Sequence, residues 1–140
     1  MISNSEQETA AIAADFAKTV SCPSVITLCG DLGAGKSCFA RAFLQSLGVK
    51  GPITSPTFSL VNLYQSENGV QLAHMDLYRL EDDEQAYQAG IEEILHDTNT
   101  ISLVEWPERL SWMLPKDILQ IKITHQSETS RLIELPESSL

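Results

Sequence analysis

The sequence is poor in positive charge. Nine lysines and arginines stand against nineteen aspartates and glutamates, for a net charge of -10. A chain that grips RNA or DNA by itself usually carries a basic stripe to neutralise phosphates. Here the cations are scattered singly, so any route to nucleic acid is expected to run through a partner. No apolar run approaches the length that crosses a bilayer, and the first residues, "MISNSEQETA", lack the basic and apolar regions of a secretory signal. The expectation is a cytoplasmic protein with no membrane. Cysteine is scarce as well: Cys22, Cys29 and Cys38 show no metal-ligand spacing. An odd number fits reduced thiols better than a disulfide framework. No internal repeat, low-complexity tract or linker interrupts the chain. With 140 residues, 43% of them hydrophobic and 20% charged, it is expected to form a single domain around one core.

What is present is a phosphate loop. "GDLGAGKS", Gly30 to Ser37, lies between the apolar run "VITLC" and the amphipathic run "CFARAFLQSL". The pattern is Gly, four residues, Gly-Lys, then Ser or Thr, the Walker A motif. Gly30, Gly33 and Gly35 let the backbone curl so that the N–H groups of residues such as Ala34 point at phosphate oxygens, while the next helix offers its positive end. Lys36 adds a point charge for the outer phosphates, and the Ser37 hydroxyl is suited to Mg2+. Phe39, Phe43, Leu44 and Leu47 at helical spacing supply the helix that the motif demands. Cys38 is expected to pack on the first turn of that helix, with a redox role as the alternative.

The remaining elements follow from pattern and punctuation. "SEQETAAIAADFAKTV", residues 5 to 20, reads as a helix with Ser5 as N-cap and Glu8 at capping-box spacing. "SVITLCG" is a buried central strand, and Gly48 is placed to end the helix after the loop. "FSLVNLYQ" and "VQLAHMDLY" flank Asn68-Gly69, a hairpin signal. "EDDEQAYQAGIEEILHD" gives one or two short helices broken near Gly90; "TISLVEW" is another strand, and "DILQIKIT" and "SRLIELP" form a C-terminal hairpin. The sum is an α/β, three-layer P-loop NTPase-like domain with a mixed parallel and antiparallel sheet.

Two acids stand at strand ends: Asp76 closes "VQLAHMD" and Glu105 closes "ISLVE". Ligands of open α/β sheets collect at the carboxyl ends of strands, and a P-loop site needs a second carboxylate for its cation. Spacing alone leaves open which of the two holds the metal. Trp106 can be read as a wall of the site or as half-buried core. Tyr78 and Arg79 can face the phosphates or belong to a structural salt bridge. His74, His96 and His125 form no metal pattern and receive no role.

Four motifs in order, "GDLGAGKS", "SPTFSLVNLY", "HMDLYRL" and "VEWPERL", resemble the TsaE (YjeE) family, bacterial ATPases required for the N6-threonylcarbamoyladenosine of tRNA position 37. The resemblance implies that ATP and Mg2+ are bound, with Ser37 and Glu105 on the metal and Lys36 and Asp76 serving hydrolysis. It implies a switch-like loop containing Ser55, Pro56 and Thr57. It places adenine near Glu6, with Glu108 and Arg131 as further nucleotide contacts, and implies TsaD and TsaB as partners, tRNA being reached only through their complex. Ser37 and Cys38 stand where Thr-Thr is common, which keeps a hydroxyl for the metal. The competing readings are a small-molecule kinase, a GTPase and a nucleotide-dependent binding switch. A kinase lid rich in arginine and the guanine-reading Asn-Lys-x-Asp segment are both missing from the sequence, and no cis arginine finger is recognisable in it.

Overall fold

A computed structural model describes the chain except Leu32, Ser55, residues 57–59 and residues 137–140. The first long element is helix α1, Glu6–Ala17. Its N-cap forms as expected: the Ser5 hydroxyl accepts from Glu8 N–H at 3.1 Å. The return bond differs, since Glu8 Oε2 accepts from the Asn4 N–H, not from that of Ser5. The helix also ends short of Val20. There Thr19 donates both its N–H and its hydroxyl to the Phe16 carbonyl, a local side-chain bond that competes with helix continuation.

Ahead of α1 lies strand β1, Ile2–Ser3, too short to leave a periodic signal. After it come β2, Ser24–Cys29; α2, Lys36–Ser46; β3, Val61–Gln65; β4, Gln71–Asp76; and α3, Asp83–Gln88. Then follow α4, Ile91–Leu95; β5, Thr100–Glu105; a 3-10 segment, Pro107–Met113, that the sequence reading did not foresee; β6, Ile118–His125; and β7, Arg131–Glu134. The break near Gly90 is real: Gly90, at φ 74°, separates α3 from α4.

One seven-stranded sheet has the order β1-β7-β6-β2-β5-β4-β3. The four central strands run parallel, β6 with β2, β2 with β5, and β5 with β4. Antiparallel pairs close both edges, β3 on β4 at one side and β6, β7 and β1 at the other. The mixed α/β sheet is therefore as expected, with helices on each face. On one face α1 and α2 contribute Phe16, Phe39 and Phe43 against Ile26, Leu28, Leu103 and Ile121. On the other, α3, α4 and the 3-10 segment cover Ala73, Met75 and Val104 with Ala86, Ile91, Leu95 and Leu110. Strand alternation makes this division, since successive side chains point to opposite faces. Among the described residues, no helix is long and apolar enough to cross a membrane.

Phe43 is fully buried and packs on Phe16 with ring centroids 6.0 Å apart. Phe43→Ala is therefore expected to cost about 3–5 kcal/mol of stability, and Ser5→Ala only about 1 kcal/mol. Urea unfolding of the two variants checks the contrast; similar midpoints would show that α2 is not the element holding that face of the sheet.

Candidate functional site

The site is built at the end of β2. That strand is hydrogen-bonded on both sides and buried through its middle, so its carboxyl end is held fixed. The chain then turns through Gly30, Gly33 and Gly35, at φ 154°, 80° and 106°. At Gly30 a side chain would collide with the Ile123 carbonyl oxygen of β6, so the loop passes as close to the sheet as only glycine allows. Gly35 is the N-cap of α2 and has no side chain to cap it. The first N–H groups of α2 are left to a ligand or to water.

In front of this loop is a cavity of about 620 Å3. Of the residues expected at the site, it brings together Glu6, Gly33, Gly35, Lys36, Ser37, Cys38, Pro56, Asp76, Glu105 and Arg131. Trp106, Tyr78 and Arg79 line it too. For Trp106 this favours the wall of the site over the core, although the residue is half-buried and also touches the apolar cluster below. Ala34 is fully buried behind the loop, where its N–H bonds the Asp31 carbonyl at 3.1 Å. Glu108 is exposed on the 3-10 segment and is not among the residues lining the cavity. Ser55 and Thr57 of the expected switch loop lie outside the described residues.

The electrostatics of the cavity were not legible from the scattered cations. Lys36, Arg41, Arg79 and Arg131 all reach it, four of the chain's nine lysines and arginines. Arg41 comes from α2, Arg79 from the turn after β4 and Arg131 from β7, which is how residues far apart in sequence line one cavity. The sequence reading found no cis arginine finger; the fold delivers three arginines to the cavity. Arg131 lies against the loop, so close that a Cβ on Gly35 would come 2.7 Å from its Nη1. Its Nε is buried with no partner among the described residues, a donor set aside for something else to accept.

Lys36 is 5% exposed. Its Nζ donates to the Gly30 carbonyl at 2.6 Å and stands 3.8 Å from the centroid of the Trp106 ring. Trp106 in turn packs on Tyr78 at 4.9 Å and holds a left-handed φ of 58°. The Cys38 thiol is pushed above its usual range by burial and by Glu6, against the opposing pull of Arg131 and Arg41. Cys38 is half-buried, lines the cavity and belongs to neither apolar cluster, so it stands beside the loop and not in the core where packing was expected; the raised thiol does not favour a redox role.

Asp76 and Glu105 are direct partners across the β4–β5 ladder, so both carboxylates arrive side by side. Asp76 Oδ1 accepts from the Tyr78 N–H at 3.0 Å. Glu105 is buried, and its Oε2 pairs with His74 Nε2 at 2.6 Å. His74 had no role in the sequence reading; the available signal was strand alternation, which puts it on the same face of β4 as Asp76. Among the described residues, no group of three or more His, Cys, Asp or Glu side chains could cage a metal. The Ser37 hydroxyl and the two carboxylates beside the loop are oxygen donors, the type that suits a hard cation sharing its shell with water.

The comparisons with known proteins identify the family. Residues 3–133 match the family model described as threonylcarbamoyl adenosine biosynthesis protein TsaE. A Rickettsia bellii (strain RML369-C) protein named tRNA threonylcarbamoyladenosine biosynthesis protein TsaE is 35% identical over 135 residues, covering 96% of this chain and 92% of its own. A Bacillus subtilis (strain 168) protein of the same name is 38% identical over 127 residues, covering 91% and 78%. The crystal structure of Bacillus subtilis YdiB superposes with a TM-score of 0.74 at 34% identity, covering 95% of this chain and 80% of the other. A cradle at the end of β2, with two acids and three arginines around it, thus sits in a chain that belongs to the TsaE family.

Proposed function

We propose that this protein is a Mg2+-dependent ATPase that serves the N6-threonylcarbamoyladenosine modification of tRNA position 37 by driving the cycle of a TsaB–TsaD complex. The observation that carries the reading is the cavity itself, where a glycine loop, a helix N-terminus and four cations converge in an otherwise acidic chain. The names of the relatives support the pathway.

In this reading the loop N–H groups hold the phosphate tail and Lys36 exchanges the Gly30 carbonyl and the Trp106 ring for the outer phosphate oxygens. Ser37 and Glu105 hold Mg2+, which when bound neutralises charge on those oxygens. Asp76, with one oxygen held by the Tyr78 N–H, orients the attacking water with the other. Arg131 and Glu6 stand on the side of the cavity away from Asp76 and Glu105 in the sheet order, where β1 ends and β7 begins, and receive the nucleoside part. The turn bearing Arg79 lies at the mouth, placed to stabilise charge that develops on the transferred group. The acidic exterior fits a protein that reaches tRNA through its partners and not by its own surface.

Lys36→Ala is expected to remove ATP hydrolysis while leaving the thermal midpoint without nucleotide nearly unchanged, because the lysine serves the ligand and not the core. Phosphate release at the parent rate would sink the cradle assignment.

Glu105→Ala and Ser37→Ala are expected to weaken the Mg2+ dependence of nucleotide binding, whereas Asp76→Asn should bind normally and lose turnover. Calorimetry decides between them; if Asp76→Asn is the variant that loses Mg2+-dependent affinity, the two carboxylates exchange roles.

Hydrolysis by the protein alone is expected to be slow and to rise when TsaB and TsaD are added. An arginine supplied wholly from outside brings about 10³ to 10⁵ in rate; with Arg79 already at the cavity, the rise should fall below that range. Contact with an acidic surface should also weaken with salt. Phosphate release at low and high ionic strength tests both, and a high rate that the partners leave unchanged would remove the partner-driven cycle.

A further inference from the structure

His74, the buried partner of Glu105, has no part in the hydrolytic scheme above. His74 on β4 and Glu105 on β5 stand in parallel register, His74 opposite Leu103 and Asp76 opposite Glu105, so the two side chains meet across the ladder on the face that carries α2. Their Nε2 and Oε2 are 2.6 Å apart, and the side chains are 3% and 5% exposed. A carboxylate serving a cation only accepts hydrogen bonds, so under the proposed function the ring donates from Nε2. His74 Nδ1 has no partner among the described residues. The ring is therefore oriented by its packing and by Glu105 alone.

We infer that His74 is a positioning residue for the cation: its Nε2–H occupies Glu105 Oε2 and fixes the carboxylate so that Oε1 is presented to Mg2+ in the cavity. This rests on the proposed assignment of Glu105 to the metal. Two effects oppose each other. A hydrogen bond drawn from Oε2 takes some charge from the ligand and weakens it slightly. Against this, a glutamate with three free torsions must otherwise be ordered when the cation arrives, and the loss of such an outer hydrogen bond typically lowers metal affinity by about 10- to 100-fold. Orientation is the larger effect. A purely structural pair behaves differently: removing one partner of a buried pair lowers the stability of the fold and has no reason to single out the metal.

His74→Leu fills the space without a donor, and His74→Gln returns an amide N–H near the place of Nε2. Binding of the non-hydrolysable analogue AMPPNP is measured by calorimetry in EDTA and across a Mg2+ titration. The parent is expected to bind more tightly with Mg2+. His74→Leu should keep its affinity in EDTA and need about 10- to 100-fold more Mg2+ to reach saturation, and His74→Gln should recover most of the difference. If the parent shows no effect of Mg2+, the metal reading itself fails and the inference with it. If the parent shows the effect and a folded His74→Leu shows it at the same Mg2+ concentrations, or loses affinity equally in EDTA, the positioning role alone is overturned. A measurement on the parent needs no variant to fold: ring 15N signals of His74 should show the hydrogen on Nε2 and shift when Mg2+ and AMPPNP are added. A hydrogen on Nδ1 would overturn the pair.

Discussion

The passage from β2 to α2 is the constraint on which the rest of the structure depends. A strand buried through its middle and paired on both edges cannot shift, so the loop that leaves it starts from a fixed point. The loop must then run beside the Ile123 carbonyl, which Gly30 permits, and enter α2 with unbonded N–H groups facing out. The two acids and Arg131 are delivered to this point by register. β5 brings Glu105, β4 brings Asp76 next to it, and β7 brings Arg131. The two-residue β1 pairs Ser3 with Arg131 and so pins the start of α1, with Glu6, beside the loop.

Charge is distributed by the same logic. A chain with net charge -10 should repel a polyphosphate, yet four cations converge on the cavity. A low-dielectric cleft focuses the field of the charges that line it, so the local sign governs the ligand and the overall sign governs larger partners. The two requirements are met by different residues, which allows the exterior to stay acidic. Under the proposed function, this suits a protein that handles a nucleotide itself and leaves a nucleic acid to others.

The parts that could be read from the sequence are those encoded within a few residues. The Ser5 cap, the glycine loop, the Asn68-Gly69 hairpin and the break at Gly90 each depend on local backbone preferences, and each stands in the structure. The parts that could not be read depend on which strand lies beside which. No local pattern says that His74 touches Glu105, thirty-one positions on, or that Arg41, Arg79 and Arg131 line one cavity. β1 escaped for another reason: two residues have no period, and their pairing is stabilised from β7, where Ile133 N–H bonds the Met1 carbonyl at 2.8 Å. The end of α1 was misplaced because Val20 continues the apolar spacing, while the Thr19 hydroxyl caps the Phe16 carbonyl and ends the helix sooner.

The contacts of Lys36 bear on how such a site would receive a phosphate. An ammonium that is nearly buried and unpaired would be strongly destabilised. Here it has a carbonyl at 2.6 Å and an aromatic face at 3.8 Å, neutral partners that offset part of that cost. An ion pair would hold it more firmly, and a phosphate would then have to break that pair in order to bind. Trp106 takes its place over the amine with a left-handed backbone that a non-glycine residue adopts at a cost of about 1–3 kcal/mol, and Tyr78 packs against its ring. A weakly held amine beside a strained aromatic wall gives up its contacts more readily than a relaxed, charge-paired one. Under the proposed function, the charge of the incoming phosphates is met by a lysine already in the cavity, whose neutral partners are exchanged for oxygens without first separating an ion pair.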